Sequence, residues 1–274
     1  MSAAPDDGPV VPDPGRPGSF LVQVGGADQS HVDLQDPTHL EFPYVRRIGD
    51  VIDVLPDLPE AGRRRVVHVG GAGMTLARYV SATLPGTAQV VLEPDAALTA
   101  AVRSHLPLPP RSGIKVRPVD GRTGIAAMAD GYADVVVVDA FVGAQVPAEL
   151  VSLEFLREVH RVLRTDGLLL MNVGDRAPFA WTARLLAGIG DTFVEAAVAA
   201  EPATLKGRRP GNLLVVAGSA VPWRTVSAHA ARQPFGYRVV PPDGLRSRFG
   251  APAPFTDGDT EPSPAPPSGA TFFA

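Results

Sequence analysis

Acids and glycines recur where apolar runs stop, and at those points this sequence can do chemistry. Val66-Val67-His68-Val69 stops at Gly70-Gly71-Ala72-Gly73, and Gln89-Val90-Val91-Leu92 stops at Glu93. A third run, 114–119, stops at Asp120-Gly121, and Val135-Val136-Val137-Val138 stops at Asp139. Small residues after a strand let a ligand approach the backbone, and the following helix offers unpaired N–H groups. A carboxylate at Glu93 can accept both hydrogens of a ribose diol. One at Asp120 can accept from the exocyclic amine of adenine, with Gly121 leaving room for the base. Burial behind four valines is expected to raise the pKa of Asp139, which suits a general base. Each residue alone also fits a plain role: a tight turn, a solvated strand end, a helix cap. Together they point to an adenine nucleoside.

Other chemistries find less support. A nicotinamide fingerprint, G-x-G-x-x-G, needs a third glycine where this chain has Leu76. The six histidines (31, 39, 68, 105, 160 and 229) lack close ligand spacing, so no metal site is expected. His68, inside a strand, reads as a buried hydrogen-bonded residue. Ser152 and Ser219 lack a nucleophile-elbow context. Cysteine is absent, which excludes disulfides and thiolate chemistry. The net charge of −4 does not point to nucleic acid, and Arg63-Arg64-Arg65 and Arg208-Arg209 read as solvated edges. No apolar run approaches the ~18 residues of a bilayer span, and residues 1–7 lack the pattern of a secretory signal. A cytoplasmic protein is expected, with no membrane or nucleic-acid partner.

The elements that must hold these residues alternate. Strands end near 69, 92, 119 and 138, and a fifth covers 167–173. Helices are expected over 74–83, from Asp95, over 148–163 and over 177–189. Strands at 192–199 and 212–217 lack a convincing helix between them, so an antiparallel pair at the sheet edge is expected. This pattern predicts an α/β fold: a Rossmann-like, methyltransferase-type sheet, mostly parallel and covered on both faces, over 64–219. Ligands of such sheets bind outside the carboxyl ends of the strands, where the acids lie. Residues 19–63 read as an N-terminal β-hairpin with a helix from about His39, Thr38 and Glu41 having capping-box spacing. Residues 220–250 are a C-terminal extension. Residues 1–18 and 251–274, rich in proline, read as a disordered leader and tail.

Four segments resemble the spermidine synthase family, most closely its spermidine synthase-like members from actinobacteria. Asp28-Gln29-Ser30-His31-Val32-Asp33 leading to Leu40-Glu41-Phe42-Pro43-Tyr44 resembles the family's hairpin and D-E-F-x-Y stretch. Val69-Gly70-Gly71-Ala72-Gly73-Met74 is similar to I-G-G-G-D-G, and Glu93-Pro94-Asp95 to E-I-D. Val119-Asp120-Gly121-Arg122 and Val138-Asp139-Ala140-Phe141 resemble G-D-G and D-S-S-D. The resemblance spans about 20–217. It implies aminopropyl transfer from decarboxylated S-adenosylmethionine to an amine, with Gln29, Glu93 and Asp120 on the nucleoside side, Asp139 as the base and Tyr44 in the amine pocket. It also implies a homodimer or larger assembly. The chain departs from the pattern at Val142, where D-S-S-D has its second acid, at Val45, and at Gly73, where the glycine loop has an acid. Glu41 and Asp175 are the candidates to replace the acid missing at Val142. Two other functions fit the same residues. One is S-adenosylmethionine-dependent methyl transfer to a small apolar molecule against Tyr44, Phe141 and Val142. The other is non-catalytic nucleoside binding.

Overall fold

The computed structural model describes residues 8–55, 62–232 and 236–266. An eight-stranded sheet forms the body. Its first half is β4 (Arg65–Val69), β5 (Ala88–Leu92), β6 (Ile114–Arg117) and β7 (Ala133–Val138), followed by the long β8 (Leu163–Asp175). The near-continuous Val and Leu runs of β4, β5, β7 and β8 are buried, as parallel strands covered on both faces require, while β6 at the sheet edge alternates. β9 (Glu195–Ala200), β10 (Gly211–Gly218) and β11 (Arg238–Val240) complete it. The spatial order is β11-β9-β10-β8-β7-β4-β5-β6. β4 pairs in parallel with both β5 and β7, so the chain reverses its direction of travel across the sheet there. β10 is antiparallel to both β8 and β9. The expected antiparallel ending is present, but β10 inserts between β8 and β9, and β11 takes the edge. This is the methyltransferase-type α/β sheet read from the sequence.

Helices cover both faces. α1 (Pro43–Asp53), α2 (Thr75–Thr83) and α8 (Trp223–Ala230) join one apolar layer, which includes Ile48, Val80, Val135 and Leu170. α5 (Leu153–Val162) and α6 (Ala180–Thr192) cover the other with Phe155, Leu156, Leu185 and Ile189. α3 (Ala96–His105), α4 (Gly121–Ala126), the short α7 (Pro202–Leu205) and α9 (Pro242–Phe249) complete the set. Asp95 caps α3 by accepting from the Leu98 N–H at 2.8 Å, as its position predicts. Ser152 is likewise a cap, accepting from Phe155 N–H at the start of α5. No helix among the described residues is long and apolar enough to cross a membrane.

The ends of the chain depart from the sequence reading. The leader contributes β1 (Val10–Pro12), which pairs with β2 (Ser19–Val24). β2 pairs with β3 (Ala27–Asp33), so the hairpin becomes a three-stranded antiparallel sheet. α1 begins at Pro43 rather than His39, and Thr38 donates its hydroxyl to Asp36 instead of capping the helix. Proline at N1 fixes the start, since it needs no N–H partner. Residues 251–266 are not a free tail: Phe255 is fully buried beside Trp181, with the Arg184 guanidinium 4.2 Å from its ring centre. Arg122 clasps Asp257 with both terminal nitrogens, and Trp181 donates to the Glu261 carbonyl at 3.1 Å. A proline-rich strap has no period to read, yet one aromatic anchor and backbone hydrogen bonds hold it. Residues 1–7 and 267–274, the rest of the expected leader and tail, lie outside the described residues.

Candidate active site

A cavity of about 650 Å³ opens at the carboxyl ends of β4, β5 and β7, where the sheet reverses. Its lining includes Gln29, Tyr44, Gly70, Gly71, Ala72, Glu93, Asp120, Gly121 and Asp139. Residues up to 110 positions apart in sequence thus meet in one place. Gly73, expected with them, is turned away. A side chain there would press on Ser30, Val32 and Val22, so the glycine lets the N-terminal sheet close over the turn. Ser30 accepts from the Gly73 N–H at 3.1 Å across this contact.

The glycine turn is built by its neighbours. Gly70 has φ +92°, and a side chain there would strike the Asp139 carbonyl. Glu93 accepts through one oxygen from the N–H groups of Gly71 (2.9 Å) and Ala72 (3.1 Å), and through the other from Asp95 N–H at 3.0 Å. The carboxylate therefore braces the turn and the start of α3. A carboxylate has about four lone-pair sites, so it retains capacity for one further donor. Asp120 accepts from Thr123 N–H at 2.8 Å, capping α4, and that bond holds its carboxyl below the ordinary value. Gly121 is required by packing, since a side chain there would meet Val69 and Leu150.

Asp139 is positioned twice. Its N–H donates to the Val69 carbonyl at 2.9 Å, and its Oδ1 accepts from Asn172 Nδ2 at 2.9 Å. Asn172 accepts in turn from Asn212 Nδ2 at 3.1 Å, and Arg47 reaches the Asn212 carbonyl at 3.0 Å. Burial pushes Asp139 up to about 6, and the Asn172 hydrogen bond partly offsets this. Tyr44 is raised well above its ordinary value, first by burial and then by the Asp139 charge. His68 Nε2 donates to the Gln89 Oε1 at 2.9 Å, the buried role read from sequence, and burial lowers it to about 4. It is therefore neutral at pH 7. Asn172 and Asn212 were not singled out from sequence. The available signal was a lone amide inside each buried strand, Leu170-Met171-Asn172-Val173 and Gly211-Asn212-Leu213.

The charge in the cavity has one sign. Glu93, Asp95, Asp120, Asp139 and Glu149 line it, and no lysine or arginine does among the described residues. Neither proposed replacement acid joins them. Glu41 is exposed and hydrogen-bonded to His39, and Asp175 accepts from the Thr182 N–H and hydroxyl at the start of α6. Asp50, Asp53 and His229 cluster behind α1, where Arg46 pairs with both acids and Tyr237 donates to Asp50 at 2.9 Å. Arg46 thus supplies a cation for that cluster.

No family model matches the chain. A crystal structure described as a probable spermidine synthase from Corynebacterium glutamicum superposes with a TM-score of 0.83 at 28% identity, covering 91% of this chain and 92% of that one. In sequence and fold the chain is similar to that structure over most of its length. A polyamine aminopropyltransferase of Neisseria meningitidis is 27% identical to this chain over 161 residues, 58% of the chain and 59% of the relative. The match thus spans under two thirds of that relative's length. Human methyltransferase-like protein 13, solved with S-adenosylhomocysteine, shares the fold at a TM-score of 0.54 and 17% identity, covering 78% of this chain and 95% of that one.

Proposed function

We propose that this protein transfers an aminopropyl group from decarboxylated S-adenosylmethionine to an amine. The observation that carries the reading is the cavity itself: five carboxylates along its lining, no lysine or arginine among the described residues, and Asp139 held where the sheet reverses. The donor carries a sulfonium and an ammonium, so a cavity lined with acids favours it on charge alone. S-adenosylmethionine would bring a carboxylate with no lysine or arginine to meet it, which disfavours the methyl-transfer reading. Glu93 and Asp120 are assigned to the ribose and adenine, with Gln29 on the nucleoside side and Tyr44 beside the amine.

The chemistry follows from charge. The sulfonium withdraws electrons from the adjacent aminopropyl carbon. The amine lone pair attacks that carbon as the carbon–sulfur bond breaks, its electron pair returning to sulfur. Methylthioadenosine leaves as a neutral thioether, and the new nitrogen–carbon bond joins the propyl group to the amine. The nitrogen must shed a proton, and ionised Asp139 accepts it at a carboxylate oxygen. Its value of about 6 keeps it mostly ionised at pH 7 yet basic enough to take the proton. Asn172 holds the carboxylate in place, a positioning role. The test is release of methylthioadenosine from decarboxylated S-adenosylmethionine with a panel of amines. Release dependent on an amine is expected; none with any amine would overturn the reading.

A further inference from the structure

The acceptor side of the cavity has a chemistry of its own, and the inference drawn from it rests on the aminopropyl-transfer reading. Four of the five lining acids lie on one side. Glu93 and Asp95 sit between β5 and α3, Asp120 caps α4, and Glu149 lies in the 3₁₀ turn Ala148–Leu150. That turn packs on α4, and Leu150 approaches Gly121 closely. Past Asp139 the wall changes. There it consists of Tyr44 and Val45 from α1 with Phe141, Val142 and Ala144 from the loop after β7. Tyr44 and Val45 belong to one buried apolar cluster, and Phe141 and Ala144 pack against it. Glu41 and Asp175 are both committed elsewhere. Among the described residues, this wall offers one carboxylate, Asp139, and otherwise carbon and the Tyr44 hydroxyl.

We propose that the acceptor is a primary amine with a single ammonium end and an apolar alkyl or arylalkyl body, rather than a short diamine. The ammonium end meets Asp139, and the body lies along Tyr44, Val45, Phe141 and Ala144. Each methylene then leaves water for carbon. A diamine would bring a second ammonium against the same wall, losing hydration without a carboxylate to replace it.

The experiment measures methylthioadenosine release at saturating decarboxylated S-adenosylmethionine, with butylamine, pentylamine, hexylamine, phenethylamine, putrescine and cadaverine as acceptors. The expected kcat/KM rises about threefold to fourfold per methylene along the alkylamines, and hexylamine exceeds putrescine by at least roughly tenfold. Putrescine or cadaverine equal to or better than hexylamine would overturn this inference and leave aminopropyl transfer standing. No release with any amine would overturn both. A second variant probes the wall directly. Val142 is 73% exposed at the cavity mouth, so Val142→Asp adds a carboxylate there with little risk to folding. The expected result is a rise in the putrescine-to-hexylamine ratio of kcat/KM. An unchanged ratio would show that the amine body does not pass this wall.

Discussion

Asp139 combines a half-buried carboxyl with, among the described residues, one side-chain donor, Asn172, so its charge is costly to the fold and useful to the reaction. Asp139→Asn is expected to lower kcat by roughly 10²–10⁴ while affinity for the neutral product methylthioadenosine changes little; rapid-mix kinetics beside calorimetry separate the two. The same variant bears on stability. Asp139 is raised from 3.8 to about 6 in the folded chain, so the folded state holds the proton more tightly. Its contribution is fully present below about pH 4 and is lost as pH rises through about 6. Asp139→Asn is thus expected to gain about 1–2 kcal/mol at pH 7 and nothing at pH 4, after discounting for partial solvent access; denaturant melts at both pH values check this. The rate should show the matching limb. kcat/KM rises with pH through about 6. Because the Asn172 hydrogen bond lowers Asp139, Asn172→Ala should move that limb to higher pH. The limb in kcat lies at lower pH than the one in kcat/KM, because a bound sulfonium stabilises the carboxylate. A limb unmoved by Asn172→Ala would remove Asp139 as the group that titrates.

At the scale of elements, the glycine turn and the C-terminal strap hold the site in different ways. The turn is fixed by conformation: at Gly70, φ of +92° and the nearby Asp139 carbonyl leave no place for a side chain. Gly70→Ala is expected to cost about 1–3 kcal/mol and to weaken nucleoside binding, since the clash displaces the strand end that carries Asp139; a thermal melt with and without methylthioadenosine measures both. The strap is fixed by one anchor and several hydrogen bonds. Ser263 exchanges bonds with Val146, and Thr260 donates to the Ala148 carbonyl at 2.8 Å, so the strap backs the loop leading to Glu149. Phe255→Ala empties a fully buried site and is expected to cost about 3–5 kcal/mol, read as a lowered denaturation midpoint. Strand ends and the α3 cap were legible because each is a local pattern of apolar run and stop. The strap was not: its proline content says only that it forms neither helix nor sheet, and Phe255 gains its partners from α6, far away in sequence.

Over the whole molecule, the sheet order turns scattered acids into a field. β4 stands between β5 and β7, which brings Gly70, Glu93 and Asp139 to a common mouth, with Asp120 from the adjoining β6 side. The resulting potential is negative, and no lysine or arginine lines the cavity among the described residues. Decarboxylated S-adenosylmethionine is therefore expected to bind at least roughly tenfold more tightly than S-adenosylmethionine at low salt, the gap narrowing as added salt screens the field. Titration calorimetry at two ionic strengths checks this. Equal affinities at low salt would remove the electrostatic argument for the decarboxylated donor.

The sequence by itself determined the class of sheet and the acids that follow its strands, because burial on both faces demands Val and Leu runs and those runs break where the chain leaves the sheet. It also marked Asp139 as the raised carboxyl, since burial follows from the valines before it. Only the tertiary structure decided which of these groups share a cavity. Asn172 reaches Asp139 from the neighbouring strand β8, and Asn212 follows from β10, partners set by strand order rather than by spacing. Gly73 left the cavity because the N-terminal sheet needs its room, and Glu41 and Asp175 were committed elsewhere by local hydrogen bonds. Each of those outcomes depends on contacts between distant segments, which no local pattern of residues encodes.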